Sequence, residues 1–387
     1  MVTGTPVGSS PGVSRSVDGE GEPTRGSYDG ADEGVRGRAV STKPFVTVIL
    51  CCRNEEDHIQ GCVESLLDAN YPSDRFEILA MDGDSDDGTR AILDGLAAKY
   101  KNVRWLPNDK RLKPFAVNKG VRESEGEVVV LCDAHADYPP GFVGRNVELL
   151  LDTGGDNVGG LTVTKSTGTV QADVVCCLFS HPLAIGDAHH RSDSAGDEIV
   201  EVESVFGGCY WRSKMETVGP FNEKLARTQD REYNIRLKNL GGRVFMDPRL
   251  KCGYYPRAEL VAYVKWIFVA GYWLQYAWRF TDSKLVRWRN VIPSAFLLWH
   301  FVVAVLLFLD WRVAAVAAVP FVAYVLLALY VGLSVLRKGQ RLAVALLVPP
   351  VLYATHLSYG LGAIWGLVKS RLQGKDLFDP ERDSVSD

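Results

Sequence analysis

One short segment of the sequence places three metal-capable side chains at alternate positions. Asp133, His135 and Asp137 follow the apolar residues 128–132, where a buried strand is expected to become a loop. Carboxylate and imidazole groups in that arrangement can meet one divalent ion, together with a diphosphate whose charge the ion neutralises. Aspartate also favours turns, so an ordinary strand end is the alternative interpretation of the same residues.

A second acidic segment runs from Asp82 to Thr89 and contains two glycines. An aspartate at a strand end can accept hydrogen bonds from a nucleobase or ribose, although such runs also form plain loops and helix N-caps. Parallel strands end at the same edge of a sheet, so we expect Asp82 and Asp133 to face one crevice. Two such sites in one crevice suit an extended nucleotide diphosphate ligand.

A third candidate is the polar stretch from Thr228 to Leu237. Asp230 is expected at the start of a helix, where capping is the ordinary role of an aspartate. Glu232 and Arg236 are four residues apart, which predicts an ion pair on the helix surface. Taken alone, this stretch does not indicate a catalytic or binding role.

Alternating strands and helices must position these segments. Strands separated by helices of about ten to fifteen residues form βαβ units, so we expect an α/β domain over residues 44–257 with a mostly parallel sheet. Beyond residue 157 the pattern is less regular and includes a turn at Gly207 and Gly208. Apolar and β-branched runs predict strands at 45–52, 76–81, 103–106, 128–132, 200–206 and 244–246.

Three uncharged runs follow, at 291–309, 313–335 and 342–368. At about 1.5 Å per helical residue even the shortest covers roughly 28 Å, close to the hydrocarbon thickness of a bilayer. We therefore predict a transmembrane region at 291–368. Pro349 and Pro350 could break the third run and let it re-enter, but we favour a complete, tilted or kinked span that places the polar tail 369–387 outside.

The residues on either side of these segments complete the predicted organisation. Aromatic side chains are dense between Leu260 and Phe280, which predicts a helix on the membrane surface within 258–290; an aromatic core helix is the alternative. Residues 1–43 are rich in small and acidic residues and are expected to form a disordered tail. That tail has no apolar stretch of secretory-signal length, so we expect the α/β domain in the cytoplasm.

Composition excludes some classes of partner. The net charge is −4, and basic residues are not interleaved with aromatic ones, so nucleic acid is not expected to bind. The eight cysteines contain no CxxC pair of zinc-site spacing and fit a reducing compartment.

Taken in order, these segments resemble the inverting glycosyltransferases of family 2, which have the GT-A fold. The resemblance is closest to the membrane-bound enzymes of succinoglycan-type exopolysaccharide assembly. It covers nearly the whole chain beyond the N-terminal tail. Its most specific parts are Cys52-Arg53-Asn54-Glu55-Glu56, Asp82-Gly83-Asp84-Ser85-Asp86-Asp87-Gly88-Thr89, Asp133-Ala134-His135-Ala136-Asp137, Gln229-Asp230-Arg231-Glu232 and His356-Leu357-Ser358-Tyr359-Gly360.

The resemblance implies roles for individual residues. Asp230 would be the catalytic base, and Asp133 would begin the DxD-like motif that holds the metal diphosphate. The second acidic position of that motif is His135 here, so His135 or Asp137 would complete the Mn²⁺ or Mg²⁺ site. The nucleotide-sugar site would contain Arg53, Glu55, Asp82, Asp84, Lys113, Asn118 and Asp133, and the acceptor region Gly207, Gly208, Gln229, Glu232 and Arg236.

The implied activity is transfer of a sugar from a nucleotide diphosphate sugar to a membrane-associated, polyprenyl-linked glycan, by an enzyme of the cell membrane. A polyprenyl-phosphate sugar synthase and a non-catalytic membrane scaffold that binds nucleotide sugar are the alternatives. The Gln-x-x-Arg-Trp signature of processive cellulose and chitin synthases does not occur in this sequence.

Overall fold

The structure is a computed structural model that describes residues 43–185 and 196–372. The predicted N-terminal tail, apart from Lys43, and most of the predicted C-terminal tail lie outside the described residues.

The first half of the α/β domain is a parallel sheet with helical crossovers. Strand β1 pairs in parallel with β2 and β4, and β2 pairs with β3. Cys52 lies opposite Asp82 and Cys51 lies opposite Asp133, so both aspartates emerge at the same edge, as predicted. The elements are β1 Val46–Cys52, α1 Ile59–Leu67, β2 Phe76–Asp82, α2 Thr89–Lys99, β3 Val103–Pro107, α3 Lys113–Glu123 and β4 Val128–Asp133.

The second half of the domain makes the sheet mixed rather than mostly parallel. Strand β8 inserts antiparallel beside β4, and it also pairs antiparallel with β6. Within the described residues the strand order is β3-β2-β1-β4-β8-β6-β9-β5, with β7 paired to β9. The elements are β5 Ala136–Asp137, α4 Phe142–Thr153, β6 Asn157–Thr164, α5 Val170–Ser180, α6 Pro182–Ile185, β7 Val200–Glu201, β8 Phe206–Trp211, α7 Arg212–Val218, α8 Gln229–Asn239 and β9 Val244–Tyr254.

Gly207 and Gly208 lie inside β8 and do not form the predicted turn. A Cβ on Gly207 would lie 2.7 Å from the Phe142 ring of α4, and its φ is +61°. Glycine at this position therefore permits close packing of strand and helix.

The domain is built on strands that are buried on both faces. Val46, Val48 and Leu50 of β1 pack on one side of the sheet, while Ile49 packs on the other with Leu79 of β2. Such strands read as continuous apolar runs, which explains why β1, β2 and β4 were predicted correctly. All eight cysteines are free thiols.

Within residues 43–185 and 196–372, three helices are long and apolar enough to cross a membrane: Trp288–Leu309, Trp311–Arg337 and Leu342–Leu372. They extend the three predicted runs by a few residues at their ends. None of the residues of the first is buried within the protein, so its apolar side chains remain available to lipid. The C-terminal elements are α9 Leu260–Tyr276, a 3₁₀ turn Ala277–Arg279, α10 Trp288–Leu309, α11 Trp311–Ala317, α12 Val319–Arg337 and α13 Leu342–Leu372.

Helix α9 differs from the predicted surface helix. Its side chains Tyr263, Tyr272, Trp273 and Tyr276 are at most 1% exposed, and α9 packs along α13. These rings therefore contribute to a protein core. The alternative interpretation, an aromatic core helix, describes them correctly.

Helix α13 runs unbroken through Pro349 and Pro350. Pro349 packs against Gly332 of α12, where the missing glycine side chain leaves room for the ring. The prolines therefore do not end the helix, and a re-entrant turn at this point is excluded. At about 1.5 Å per residue, its 31 residues are long enough for a complete crossing.

Candidate active site

The centre of the candidate site is the ammonium group of Lys113, the first residue of α3. Its Nζ lies 2.7 Å from Oδ1 of Asp133 and 3.7 Å from Oδ2 of Asp230. Asp133 ends β4 and Asp230 lies in the first turn of α8, so tertiary structure joins three predicted site residues. The Asp230 side chain is 45% exposed, which leaves its carboxylate accessible from the cleft.

The two carboxylates differ in basicity. The protein atoms of the cleft wall partly desolvate the Asp230 carboxylate and raise its pKa above the ordinary aspartate value, and the positive charge of Lys113 only partly opposes this. Burial also raises the pKa of Asp133, but the charges of Lys113 and His135 lower it further, so that it lies below the ordinary aspartate value. Burial lowers the pKa of Lys113, but both carboxylates more than compensate and hold it well above its usual range. Asp230 is therefore the stronger base, and Lys113 remains charged.

His135 is oriented by Glu55. The distance between His135 Nδ1 and Glu55 Oε1 is 3.0 Å, and since a carboxylate accepts, the imidazole donates through Nδ1. In the neutral ring Nε2 then carries the lone pair, an arrangement that is typical of metal-binding histidines. Burial lowers the pKa of His135, but the hydrogen bond to Glu55 and the charge of Asp133 raise it overall. Glu55 is thus placed beside the candidate metal segment, and its contact with a nucleobase stays a prediction.

Asp137 is separated from the other two candidate metal ligands. Its carboxylate is 2.6 Å from Lys165 Nζ and accepts a hydrogen bond of 2.7 Å from the Tyr255 hydroxyl. The pairing of β5 with β9 turns it toward these partners. In the described parts of the chain, no three His, Cys, Asp or Glu side chains are assembled into a metal site. The geometry therefore favours His135 over Asp137 as the companion of Asp133.

Two arginines that the sequence analysis did not assign, Arg90 in α2 and Arg111 between β3 and α3, pair with aspartates at the end of β2 and in the acidic loop that follows it. Arg90 Nε lies 2.6 Å from Asp82, whose carboxylate is completely buried. Arg90 and Arg111 both pair with Asp84, and their hydrogen bonds, that of Arg111 first, lower the pKa of Asp84. The Asp82 carboxylate therefore stabilises the loop through its ion pair with Arg90. Arg90 directly follows the acidic loop as the second residue of α2. From this position in the sequence, its pairing with the loop aspartates could have been predicted.

Comparison with known proteins identifies the domain that carries this site. Residues 47–175 match the family described as "Glycosyl transferase family 2". The chain contains a glycosyl transferase family 2 domain. This confirms the family that the sequence motifs indicated.

Two curated relatives extend the match beyond this domain. A Methanococcus voltae protein named "Dolichyl N-acetyl-alpha-D-glucosaminyl phosphate 3-beta-D-2,3-diacetamido-2,3-dideoxy-beta-D-glucuronosyltransferase" is 24% identical over 279 residues, covering 68% of this chain and 86% of the relative. "Succinoglycan biosynthesis protein ExoA" of Rhizobium meliloti (strain 1021) is 31% identical over 223 residues, covering 55% of this chain and 64% of the relative. The chain thus spans less than two thirds of the second relative.

One solved structure shows the same fold. The mannosyltransferase PcManGT from Pyrobaculum calidifontis, in complex with GDP-Man and Mn²⁺, superimposes with a TM-score of 0.50 at 20% identity. The alignment covers 85% of this chain and 87% of that one. The expected GT-A fold, with C-terminal helices apolar enough to span a membrane, is confirmed.

Within the family 2 domain, Asn118 does not face the cleft. Its side chain is 6% exposed; its amide donates to the Phe221 carbonyl and to Glu223, both at 2.9 Å. Its amide oxygen accepts from the Phe221 N–H at 2.8 Å. The prediction that Asn118 binds the nucleotide is therefore corrected: this residue fixes the loop that precedes α8.

Most of the predicted acceptor region is also structural. Glu232 is 2% exposed and pairs with Arg236 at 2.8 Å, which confirms the expected i,i+4 ion pair. Arg236 donates further to the carbonyls of Val218 and Pro220. With Gly207 and Gly208 buried in β8, these residues make their contacts within the domain, and an acceptor contact stays a prediction.

Gln229 and Arg53 remain candidates for ligand contact. Gln229 begins α8 next to Asp230, and its buried amide oxygen has no hydrogen-bond partner among the described residues. Arg53 is exposed and lies at the edge of the cleft beside Gly83. The Gln229 amide oxygen is placed to accept a hydrogen bond from a sugar hydroxyl, and the Arg53 guanidinium is suited to pair with a phosphate.

Proposed function

We propose that this family 2 domain transfers a sugar, with inversion, from a nucleotide diphosphate sugar to a membrane-associated, polyprenyl-linked glycan. The single observation that carries the proposal is the position of Asp230. Its carboxylate is accessible, its pKa is raised above that of an ordinary aspartate, and it shares one cleft with Asp133 through Lys113. A base of raised pKa beside a diphosphate-binding edge suits a direct displacement.

In this reaction Asp230 removes the proton from an acceptor hydroxyl. The acceptor oxygen forms a bond to the anomeric carbon while the bond from that carbon to the diphosphate breaks. The nucleoside diphosphate leaves with the electron pair of the broken bond. Lys113 adds positive charge beside the leaving group, and base assistance of this kind typically contributes about 10² to 10⁴-fold.

The residues at the cleft fit a divalent cation. The carboxylates of Asp133 and Asp230 already converge on one cationic group, and His135, two residues after Asp133, keeps its Nε2 outside the hydrogen bond that its Nδ1 makes to Glu55. Asp133 and His135 are the residues that would hold Mn²⁺ or Mg²⁺, whose charge stabilises the departing diphosphate when bound. A mixed oxygen and imidazole ligand set suits Mn²⁺ better than Mg²⁺.

Two findings support an acceptor in the membrane. The three candidate spans support a multi-pass membrane protein, and in our proposal its catalytic domain lies in the cytoplasm. The printed name of the Methanococcus voltae relative describes transfer to a dolichyl-linked sugar phosphate. Transfer to polyprenyl phosphate itself is the second candidate reaction, and it requires less base assistance because that acceptor is already anionic.

The decisive experiment uses the full chain in lipid nanodiscs. Nucleotide sugars are screened against lipid extracts, with nucleoside diphosphate release and the mass of the lipid product as the two measurements. A lipid-linked glycan lengthened by one sugar supports the proposal, whereas a phosphate-linked monosaccharide identifies the second candidate reaction. Binding of nucleotide sugar without any nucleoside diphosphate release would show a non-catalytic scaffold.

Metal dependence is tested in the same assay. Asp133→Ala and excess chelator are each expected to abolish turnover, and added Mn²⁺ should restore activity only in the chelated wild-type protein. Asp94→Ala, at a position on α2 remote from the cleft, is the matched control and should retain the metal response. Full activity in chelator would show a metal-free site.

A further inference from the structure

A buried polar network lies one helical turn beyond Asp230. Asn234 follows Asp230 by four residues on α8, so both side chains project from the same face of that helix. Asn234 is 2% exposed, and its amide oxygen accepts a hydrogen bond of 2.9 Å from Nδ2 of Asn157. The same oxygen accepts a longer bond, of 3.5 Å, from the Tyr210 hydroxyl. The helix that carries the proposed base is therefore tied to two strands through one amide group.

Asn157 and Tyr210 are neighbours in the sheet. Asn157 begins β6, and its register places it opposite Tyr210 of β8 and beside Val244 of β9. Both residues are buried, with exposures of 0% and 3%. A Cβ on Gly208 would lie only 3.0 Å from Oδ1 of Asn157 and from the Tyr210 hydroxyl. Glycine at this position therefore leaves the space in which the two side chains reach α8.

The Asn157 amide is only half satisfied. Its Oδ1 has no hydrogen-bond partner among the described residues, and leaving a buried carbonyl oxygen unpaired is unfavourable. A leucine of similar shape would avoid that unpaired oxygen, but it would also remove the Nδ2 donor. Asn157 therefore contributes through the bond that its Nδ2 donates to α8.

The network lies within electrostatic reach of Asp230. Burial raises the pKa of the Tyr210 hydroxyl well above its usual range, and the negative charge of Asp230 acts in the same direction. The Asp230 side chain is 45% exposed, so its direction in the cleft depends on the position of α8 as well as on Lys113. Misplacing a reacting group by about 1 Å can cost roughly 100-fold in rate.

We propose that Asn157 and Tyr210 are positioning residues that act through Asn234 to direct the Asp230 carboxylate into the cleft. Their hydrogen bonds hold the second turn of α8 against β6 and β8, and this fixes the rotation of the helix about its axis. Because both residues are buried in the sheet, their effect on catalysis passes through Asp230. This assignment rests on the proposed role of Asp230 as the base.

A double-mutant cycle with Asp230 tests this assignment in the full-length protein. Asn157→Leu keeps a side chain of similar shape and removes the Nδ2 donor. It should lower kcat at least about tenfold, while the dissociation constant of the nucleotide sugar, measured by calorimetry, stays within about twofold of wild type. Added to Asp230→Asn, the same change should cause no further loss of the single-turnover rate, because the base that it positions is already absent.

Asn146→Leu is the matched control. Asn146 of α4 is also a fully buried asparagine, its amide donates to the Phe142 carbonyl of its own helix, and its Oδ1 likewise has no partner among the described residues. This replacement should lower the melting temperature and leave kcat unchanged at a permissive temperature. An equal loss of kcat in this control would overturn the positioning role.

The cycle separates failure of the positioning role from failure of the proposed function. An unchanged kcat in folded Asn157→Leu protein, or a loss that multiplies fully with that of Asp230→Asn, would overturn the positioning role and leave the base in place. Normal turnover of Asp230→Asn would overturn the base and the positioning role together. If Asn157→Leu does not fold, Tyr210→Phe replaces it in the cycle. Its expected loss is about twofold to tenfold, the size of one neutral hydrogen bond, and an unchanged kcat would again overturn the proposal.

Discussion

Lys113 Nζ lies 3.7 Å from a carboxylate oxygen of Asp230. Its positive charge lowers the pKa of Asp230, whereas desolvation by the surrounding protein raises that pKa. The lysine therefore sets how basic the proposed catalytic aspartate is, in addition to pairing with Asp133. The sequence motifs assigned Lys113 to the nucleotide site, and the structure gives it a second electrostatic relationship.

Asp230→Asn should lower kcat at least about 100-fold while nucleotide-sugar binding changes little, because only proton removal is lost. Single-turnover kinetics and calorimetric titration of the donor measure the two quantities separately. Normal turnover with a normal binding constant would contradict the assignment of Asp230 as the base.

Lys113→Met should move the acid limb of the kcat/KM profile to higher pH. The base works only when ionised, so activity falls as pH drops through the pKa of Asp230, and removing the positive charge raises that pKa further. Lys119→Met, on the exposed side of α3, is the control and should leave the limb in place. An unmoved limb in the Lys113 variant would separate Lys113 from the basicity of Asp230.

Asn118→Ala should destabilise the protein by about 1 to 3 kcal/mol, because the buried N–H and C=O of Phe221 lose their partner. Thermal unfolding in detergent measures the change, and KM for the donor should be unaffected at permissive temperature. Asn239→Ala, at the exposed end of α8, should have little effect on stability. A large rise in donor KM without a change in melting temperature would instead restore Asn118 to the nucleotide site.

Gly362→Ala should disrupt the contact between α9 and α13. A Cβ at Gly362 would overlap the carbonyl oxygen of Phe268. Because this oxygen belongs to the backbone of α9, it can move away only if the two helices separate. The measurement is the yield of monodisperse protein together with its melting temperature. Gly95→Ala on α2, where the added Cβ meets nothing within 4 Å, should be neutral or stabilising.

The C-terminal tail should be accessible from outside the cell, because α13 is unbroken at Pro349 and Pro350 and is long enough for a complete third crossing. Ser384→Cys is labelled with a membrane-impermeant maleimide on intact cells, and Gln340→Cys, in the loop before α13, is the internal control. We expect labelling at the first position and protection of the second until lysis. Protection at both positions would place the tail in the cytoplasm.

Local and periodic signals were sufficient for much of this protein. The strands β1, β2 and β4 are buried on both faces and so appear as apolar runs, and the candidate spans appear as uncharged runs of bilayer length. Asp82 and Asp133 were singled out because they stand at the ends of such strands, whereas Asp230 received its predicted role only from the family resemblance. The shared edge of Asp82 and Asp133 follows from parallel pairing alone.

Only the tertiary structure decided which partners these residues meet. Asp137 pairs with Lys165, Asn118 with the loop at Phe221, and the rings of α9 with α13. Each partner comes from a distant part of the chain, and spacing within a sequence carries no information on such contacts. The sequence alone therefore determined the elements and the acidic edge, whereas long-range packing determined which side chains remain free to bind a ligand.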